Sequence, residues 1–361
     1  MSNVLEYKDK LIVHPGYYIK EIIEESGLTQ EDFAKRLDTT PKNLSVLVRG
    51  EQALSLDIAA KLARMLGTSV EYWLNLQNAY DAGIAEMQAD AELEQERIVF
   101  KHLDYRYFRE HWGLPPLPRQ TDAQIKAVRE TLGVSSLTVL KNEDMAVSFR
   151  TPAGVIREAN VVRANALVQL AIREARKSIA PKFNKKLFER AVDYALTLTK
   201  EHNSFFRLVR NAFYDAGVVL VVLPNLPGSK IFGATKKLGD NVMLMVNDSR
   251  SYSDTFWFTL LHEVGHIMNG DYGITFADSV AAGEDAADTF AADKLVPPEE
   301  YRQFIYSGRF CRAEGIAAFA EQIERDPGIV LGRLQNDGYI SHSDKKLNEL
   351  FKRKYQVVAL E

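Results

Sequence analysis

The 361-residue sequence predicts an α+β chain that is mostly helical, with an all-α N-terminal part followed by an α/β part. Apolar residues recur at helical spacing throughout 14–80. Six consecutive aliphatic residues, Val218 to Leu223, then read as one buried strand, and two shorter strands follow at 231–235 and 241–247. Helical spacing returns at residue 255 and continues almost to the C-terminus. Together these imply a helical domain, then a small sheet flanked by helices, then a helical C-terminal region.

In the first part, helices are expected over 29–37, 40–48, 56–66 and 70–80, broken at Gly27, Asp38, Gly50 and Gly67. Thr29, Thr40, Ser55 and Ser69 stand where a side-chain oxygen caps the unpaired N–H groups of a first helical turn. Asp38 suits a tight turn, because Asp tolerates left-handed backbone better than most residues. The acidic, Ala- and Glu-rich stretch 81–96 reads as a helical connector, and Leu114-Pro115-Pro116-Leu117-Pro118 as the linker. Amphipathic helices are expected over 160–178 and 185–200, and another helix over 204–216, stopped at Gly217. Beyond the strands, helices are expected over 255–269, 284–295, 299–306, 316–324 and 328–336. The implied domains are 1–81, a connector and linker at 82–118, a helical middle region of no assigned role at 119–200, the α/β domain with its C-terminal helices at 201–345, and a tail at 346–361. The last two helices fit a helical cap better than a second DNA-reading pair.

Composition narrows the function classes. No apolar run approaches the roughly 18 residues of a membrane helix, and MSNVLEYKDK lacks the apolar core of a signal peptide. The single Cys311 excludes an internal disulfide and fits a reducing, cytoplasmic setting. Any metal site must therefore use His and carboxylates.

The most specific motif is His262-Glu263-Val264-Gly265-His266. Positions i and i+4 share one helix face, so two imidazoles at that spacing can bind one Zn²⁺, with Mn²⁺ as the alternative. Glu263 lies beside them, placed to take a proton from an attacking water. The apolar run before His262 predicts a buried helix. Gly265 is costly in a helix interior and implies close approach of another backbone or a substrate. A third ligand is needed. Glu284 and Asp288 open a downstream helix four residues apart, Glu284 as ligand and Asp288 as acceptor from a ligating His. Asp285 is the rival ligand, about 100° away on the same helix.

FTLLHEVGHIMNG and EDAADTFAADKLVPPEEY, with GATKKLGDNVMLMVND upstream, resemble the ImmA/IrrE family of metallopeptidases over roughly 200–340. The resemblance implies a zincin-like fold, zinc on His262, His266 and Glu284, and Glu263 as general base. The family often carries Glu or Gln where this chain has Ala286, but the acidic position at Glu284 is retained. Members typically cleave helix-turn-helix repressors, so the resemblance implies such a protein, or a second copy of this chain, as substrate. The strand 241–247 is expected at the sheet edge, open to a substrate strand.

Residues 12–81 resemble the HigA antitoxin type of helix-turn-helix, in which 29–37 would be the first helix and 40–49 the recognition helix. Thr40, Lys42, Asn43 and Ser45 would face bases, while Gln30 and Arg49 would touch phosphates. Residues 1–80 hold nine Lys and Arg against eleven Asp and Glu, a net of −2, so a single copy should hold DNA weakly. Residues 39–50 carry Lys42 and Arg49 with no acid. A homodimer on paired operator half-sites is therefore expected, with a small toxin as a further partner class. The competing reading is an antitoxin-like repressor whose metal domain is structural or ligand-sensing.

Overall fold

The computed structural model describes residues 3–142, 157–247, 252–276 and 284–354. It divides into two compact units, 1–95 and 96–361.

The first unit opens with a hairpin that the sequence did not announce. β1 (Val4–Tyr7) pairs antiparallel with β2 (Lys10–Val13). Its two central residues, Lys8 and Asp9, both have positive φ, as a type I′ turn demands, yet neither is the Gly or Asn that signals such a turn. Five helices follow: α1 (Pro15–Ser26), α2 (Gln30–Arg36), α3 (Pro41–Val48), α4 (Leu56–Leu66) and α5 (Val70–Phe100). The expected caps form: Thr29 accepts from the N–H of Asp32, Thr40 from Asn43, Ser55 from Ile58 and Ser69 from Tyr72. Asp38 takes left-handed φ between α2 and α3. Ile19, Phe33, Leu44, Leu47, Leu62 and Trp73 form the core. Gly16 lets α1 lie directly on α3, since a Cβ there would stand 2.1 Å from the Leu47 carbonyl oxygen.

The unit division falls at Gln95/Glu96 inside α5, so the proline cluster expected as linker lies within the second unit. Glu96 supplies the physical reason. It is buried, binds Arg129 at 2.9 Å, and accepts from the Leu137 N–H at 2.6 Å, tying the end of α5 to the helices that follow.

In the second unit come α6 (Tyr105–Trp112), α7 (Thr121–Leu132), α8 (Glu158–Ala175), α9 (Lys185–Thr197) and α10 (Phe205–Asp215), then strands β3 (Val218–Leu223), β4 (Ile231–Leu238) and β5 (Asn241–Asn247). They continue into α11 (Ser253–Asn269), β6 (Ile274–Phe276), α12 (Glu284–Leu295), α13 (Pro298–Tyr306), α14 (Ala313–Gln322), α15 (Pro327–Asn336) and α16 (Lys345–Phe351). The sheet order is β3-β5-β4-β6, with β3 parallel to β5 and the other neighbours antiparallel. β5 is therefore an interior strand, not the edge expected for 241–247. Its run Val242 to Val246 is continuously apolar because both faces are covered. Leu220, Val222, Val242, Leu244 and Val246 share a core with α9, α10 and α11, while the alternate side chains Val219, Val221, Met243 and Met245 point the other way. α8, from the middle region, packs on β3 and β5, while α15 packs on α11 and α14 on α15, a helical layer over the second unit's core. α16 stands where a polar tail was expected. Parts of the middle region (143–156) and of the tail (355–361) lie outside the described residues.

Among the described residues no helix is long and apolar enough to cross a membrane.

Candidate metal centre and nucleic-acid interface

α11 is held in the core by Trp257, Leu260, Leu261, Val264 and Ile267, and this fixes the direction of its polar residues. His262 and His266, one turn apart, bring their Nε2 atoms to 3.0 Å. Glu284, at the first turn of α12, places Oε2 3.1 Å from His262 Nε2 and Oε1 3.8 Å from His266 Nε2. Donors on a tetrahedral ion at ordinary Zn–N and Zn–O lengths lie roughly 3.3 Å apart. The three donors already stand near that spacing, and all three residues are buried. They are the one such group of potential ligands among the described residues.

The far nitrogens are held as well. His262 Nδ1 lies 2.7 Å from Asp288 Oδ1, and His266 Nδ1 lies 2.9 Å from Asp271 Oδ2. A carboxylate on each Nδ1 favours the tautomer that leaves the Nε2 lone pair facing inward, which is what a metal needs. This donor chemistry fits a divalent cation. Asp288 was expected in that role. Asp271 was missed, because it sits beyond Gly270, which ends α11 in left-handed backbone, and so follows no helical spacing. The rival Asp285 is exposed and outside the cluster.

The same contacts set the electrostatics. Burial lowers the proton affinity of His262, but hydrogen bonds to Asp288 and Glu284 outweigh it and raise its pKa to about 9. Burial pushes Glu284 up, yet its bonds to His262 and His266 prevail and bring it down to about 2.

Glu263 is fully buried, and its carboxyl group lies against Gly233 of β4. A Cβ at that glycine would stand 2.5 Å from Glu263 Cγ and Oε1. Gly265 serves the other side: a Cβ there would meet the Ala287 Cα at 3.2 Å, so its bare backbone lets α12 pack closely and deliver Glu284. Sequence reasoning gave Gly265 that role but assigned none to Gly233.

The first unit distributes its expected DNA-contact residues less evenly. Thr40, Lys42 and Arg49 are exposed, while Gln30, Asn43 and Ser45 are half-buried. The Thr40 hydroxyl is engaged in its cap. Asn43 is held from both sides, donating to Thr39 Oγ1 at 2.9 Å and accepting from Gln52 at 2.7 Å. Arg49 makes a two-pronged pair with Glu51. Gln52, which fixes the Asn43 side chain, was not anticipated.

Family models match the chain in two places, a helix-turn-helix over 19–73 and the IrrE N-terminal-like domain over 219–319, which contains every residue of the candidate metal centre. The YddM helix-turn-helix regulator of Escherichia coli is 37% identical over 21% of this chain and 81% of its own length. The chain belongs to the helix-turn-helix family, and behind that domain it is similar to the IrrE N-terminal-like domain. Antitoxin HigA-1 of Vibrio cholerae is 36% identical over 23% of this chain and 79% of its own. A solved HigA-family antidote protein from Coxiella burnetii is 29% identical, covering 23% of this chain and 92% of its own at a TM-score of 0.22. The helix-turn-helix match spans α2 and α3 with their connecting Asp38 turn, and the IrrE-like match spans β3 to α14.

Proposed function

We propose that this chain is an operator-binding regulator whose IrrE-like domain is a divalent-metal-dependent endopeptidase, with Zn²⁺ as its ion and Mn²⁺ as the alternative. Its substrate would be a helix-turn-helix repressor or a second copy of itself, in the cytoplasm. The observation that carries this reading is the meeting of His262, His266 and Glu284, each imidazole braced by an outer carboxylate, beside the buried Glu263.

When bound, the ion supplies Lewis-acid polarisation of the scissile carbonyl and of a water. The chain's own residues do the rest. Asp288 and Asp271 hold the two rings in register, and the apolar body of α11 excludes bulk water from that face. Glu263 Oε takes the proton of the attacking water and returns it to the leaving amine. A substrate strand would add at β6, the sheet edge beside β4, since β5 is enclosed.

The helix-turn-helix domain supports operator binding through α3. Its net charge of −2 over 1–80 favours two copies on paired half-sites, with a small toxin as a further partner. The test is Glu263→Gln, incubated with candidate repressors in Zn²⁺ or Mn²⁺, with fragments read by mass spectrometry. Cleavage by wild type and none by the variant at equal metal content is expected. Equal cleavage by both, or none by either against repressors of neighbouring genes, would leave the antitoxin-like repressor with a structural metal domain.

A further inference from the structure

The second unit carries a basic surface that the metal centre does not use. Residues 173–190 hold seven Lys and Arg against two Glu, residues 236–240 add two Lys against one Asp, and Asp215 adds one more acid. The balance is +5 in a chain whose formal charge is −4. Three hydrogen bonds draw these segments together. The Phe183 N–H donates to the Asp240 carbonyl oxygen at 2.8 Å, the Asn184 N–H to that of Ala216 at 3.0 Å, and Asn241 Nδ2 to that of Ala180 at 3.2 Å. Gly217 completes the fit, since a Cβ there would stand 2.5 Å from the Phe183 backbone. All nine cations are exposed except Lys236, which is half-buried. Lys177 pairs with Glu174 at 2.7 Å and Lys182 lies 3.8 Å from Asp240, but Arg176, Lys186, Arg190 and Lys237 make no ion pair with any described residue. Burial first, and Arg176 second, lower the proton affinity of Lys236. Lys185 and Lys186 occupy the first turn of α9 with no acid beside them, where the helix dipole disfavours cations. Local stability does not explain them.

We propose that this surface binds the phosphate backbone of duplex DNA. A polyanion matches cations spread over two helix ends and a strand turn, because each phosphate needs one Lys or Arg and no shared pocket. The inference rests on the operator-binding reading and deepens it. Residues 1–80 carry a net −2, so α3 can select bases while its own domain supplies few of the cations that hold a duplex. Arg176, Lys186, Arg190 and Lys237 supply them without breaking any ion pair of the fold. An anionic membrane matches less well. Between residues 173 and 190 the exposed large apolar side chains are Ile179, 93% exposed, and Leu187, 45% exposed, too few to sink a helix face into lipid.

The test is fluorescence anisotropy of the full chain on two labelled duplexes of equal length, the DNA upstream of its own coding sequence and a scrambled version, over a series of salt concentrations. Arg176→Ala, Lys186→Ala, Arg190→Ala and Lys237→Ala combined should flatten the salt slope on the scrambled duplex by about 3 to 4, at about 0.9 per lost phosphate contact, and weaken binding about tenfold or more at fixed salt. Exchanging Lys for Arg and Arg for Lys at the same four positions should preserve both. Thermal unfolding should not change, because none of the four is buried or paired. If the fourfold variant fails to fold, Lys186→Ala with Arg190→Ala, one turn apart on α9, should give about half the effect. No binding of the scrambled duplex at low salt, or a slope unmoved in folded variants, overturns the surface. So does binding to phosphatidylserine vesicles with none to either duplex. Scrambled-duplex binding that needs the four cations, with no preference for the upstream DNA, keeps this surface and sinks the operator-binding reading. A clear preference with an unmoved slope does the reverse.

Discussion

Gly233→Ala isolates what positions Glu263, the proposed general base. The added methyl carbon would lie 2.5 Å from Glu263 Cγ and Oε1 and 2.6 Å from its Cδ. Ordinary carbon contacts need about 3.5 Å or more, so the carboxylate must retreat by roughly 1 Å. Glu263 is fully buried and α11 is fixed by Trp257 and Leu260, so the retreat must come from the Glu263 side chain itself. A misplacement of that size costs about 100-fold in rate, or about 2.7 kcal/mol of activation free energy. Overpacking should cost stability as well, about 1–3 kcal/mol. Metal content should not change, because the three atoms nearest the added carbon all belong to Glu263, which is not among the expected ligands. The assay is kcat/KM for the cleaved repressor, beside metal analysis and thermal unfolding. Gly233→Ala combined with Glu263→Gln should be no slower than Glu263→Gln alone, because both remove the same function. A folded, metal-replete Gly233→Ala within threefold of wild type would refute the argument, as would clear additivity in the double variant.

The remaining expectations concern the ligands and the DNA face. Asp271→Asn and Asp288→Asn should each weaken Zn²⁺ binding about 10- to 100-fold with the fold intact, measured by competition with a chromophoric chelator; equal affinity in both would remove their role in orienting the rings. In chelator-stripped protein, His262 is raised to about 9, so its contribution to stability is complete below its ordinary pKa of 6.5 and lost as pH climbs through about 9. Glu284, lowered to about 2, contributes above its ordinary 4.5 and loses its share as pH falls toward about 2. Urea midpoints of stripped protein should therefore decline from pH 6.5 to 9, and a midpoint flat across that window would contradict the assignment. Arg49→Ala should reduce the salt slope of operator binding by about 1, read by fluorescence anisotropy at several salt concentrations, whereas an unchanged slope would place the end of α3 away from phosphates.

What could be read in advance follows the range of the interaction responsible. Caps at Thr29, Thr40, Ser55 and Ser69 act within three residues, and the continuous apolar runs of β3 and β5 report burial directly, so both were legible. The pair His262 and His266 was legible because helical geometry converts spacing into distance. The edge strand was not: order β3-β5-β4-β6 depends on a parallel crossover and a three-residue strand, β6, too short to carry a pattern. Asp271 escaped because it joins the site by a turn after Gly270, and Gly233 because its role exists only once β4 lies against Glu263. The hairpin at Lys8 and Asp9 was hidden because Lys8 takes positive φ without being the Gly or Asn that signals such a turn.

The charge arrangement at the metal centre argues for a cation on grounds independent of spacing. Four carboxylates, those of Glu263, Asp271, Glu284 and Asp288, gather around two imidazoles, and Glu263 and Glu284 are buried. Protonating both rings would leave a local charge of −2. Replacing those two protons by one divalent ion on neutral rings leaves the same −2, so the exchange carries no net electrostatic penalty. The field of Asp288 and Glu284 that holds a proton on His262 is thus the field that would hold a metal in its place. The outer carboxylates persist through the exchange, because each needs only the Nδ1–H that both states retain. A site designed only to bury an ion pair needs one acid for each base. This one carries two in excess, and that surplus favours positive charge at the ring nitrogens whether it arrives as two protons or as one divalent ion.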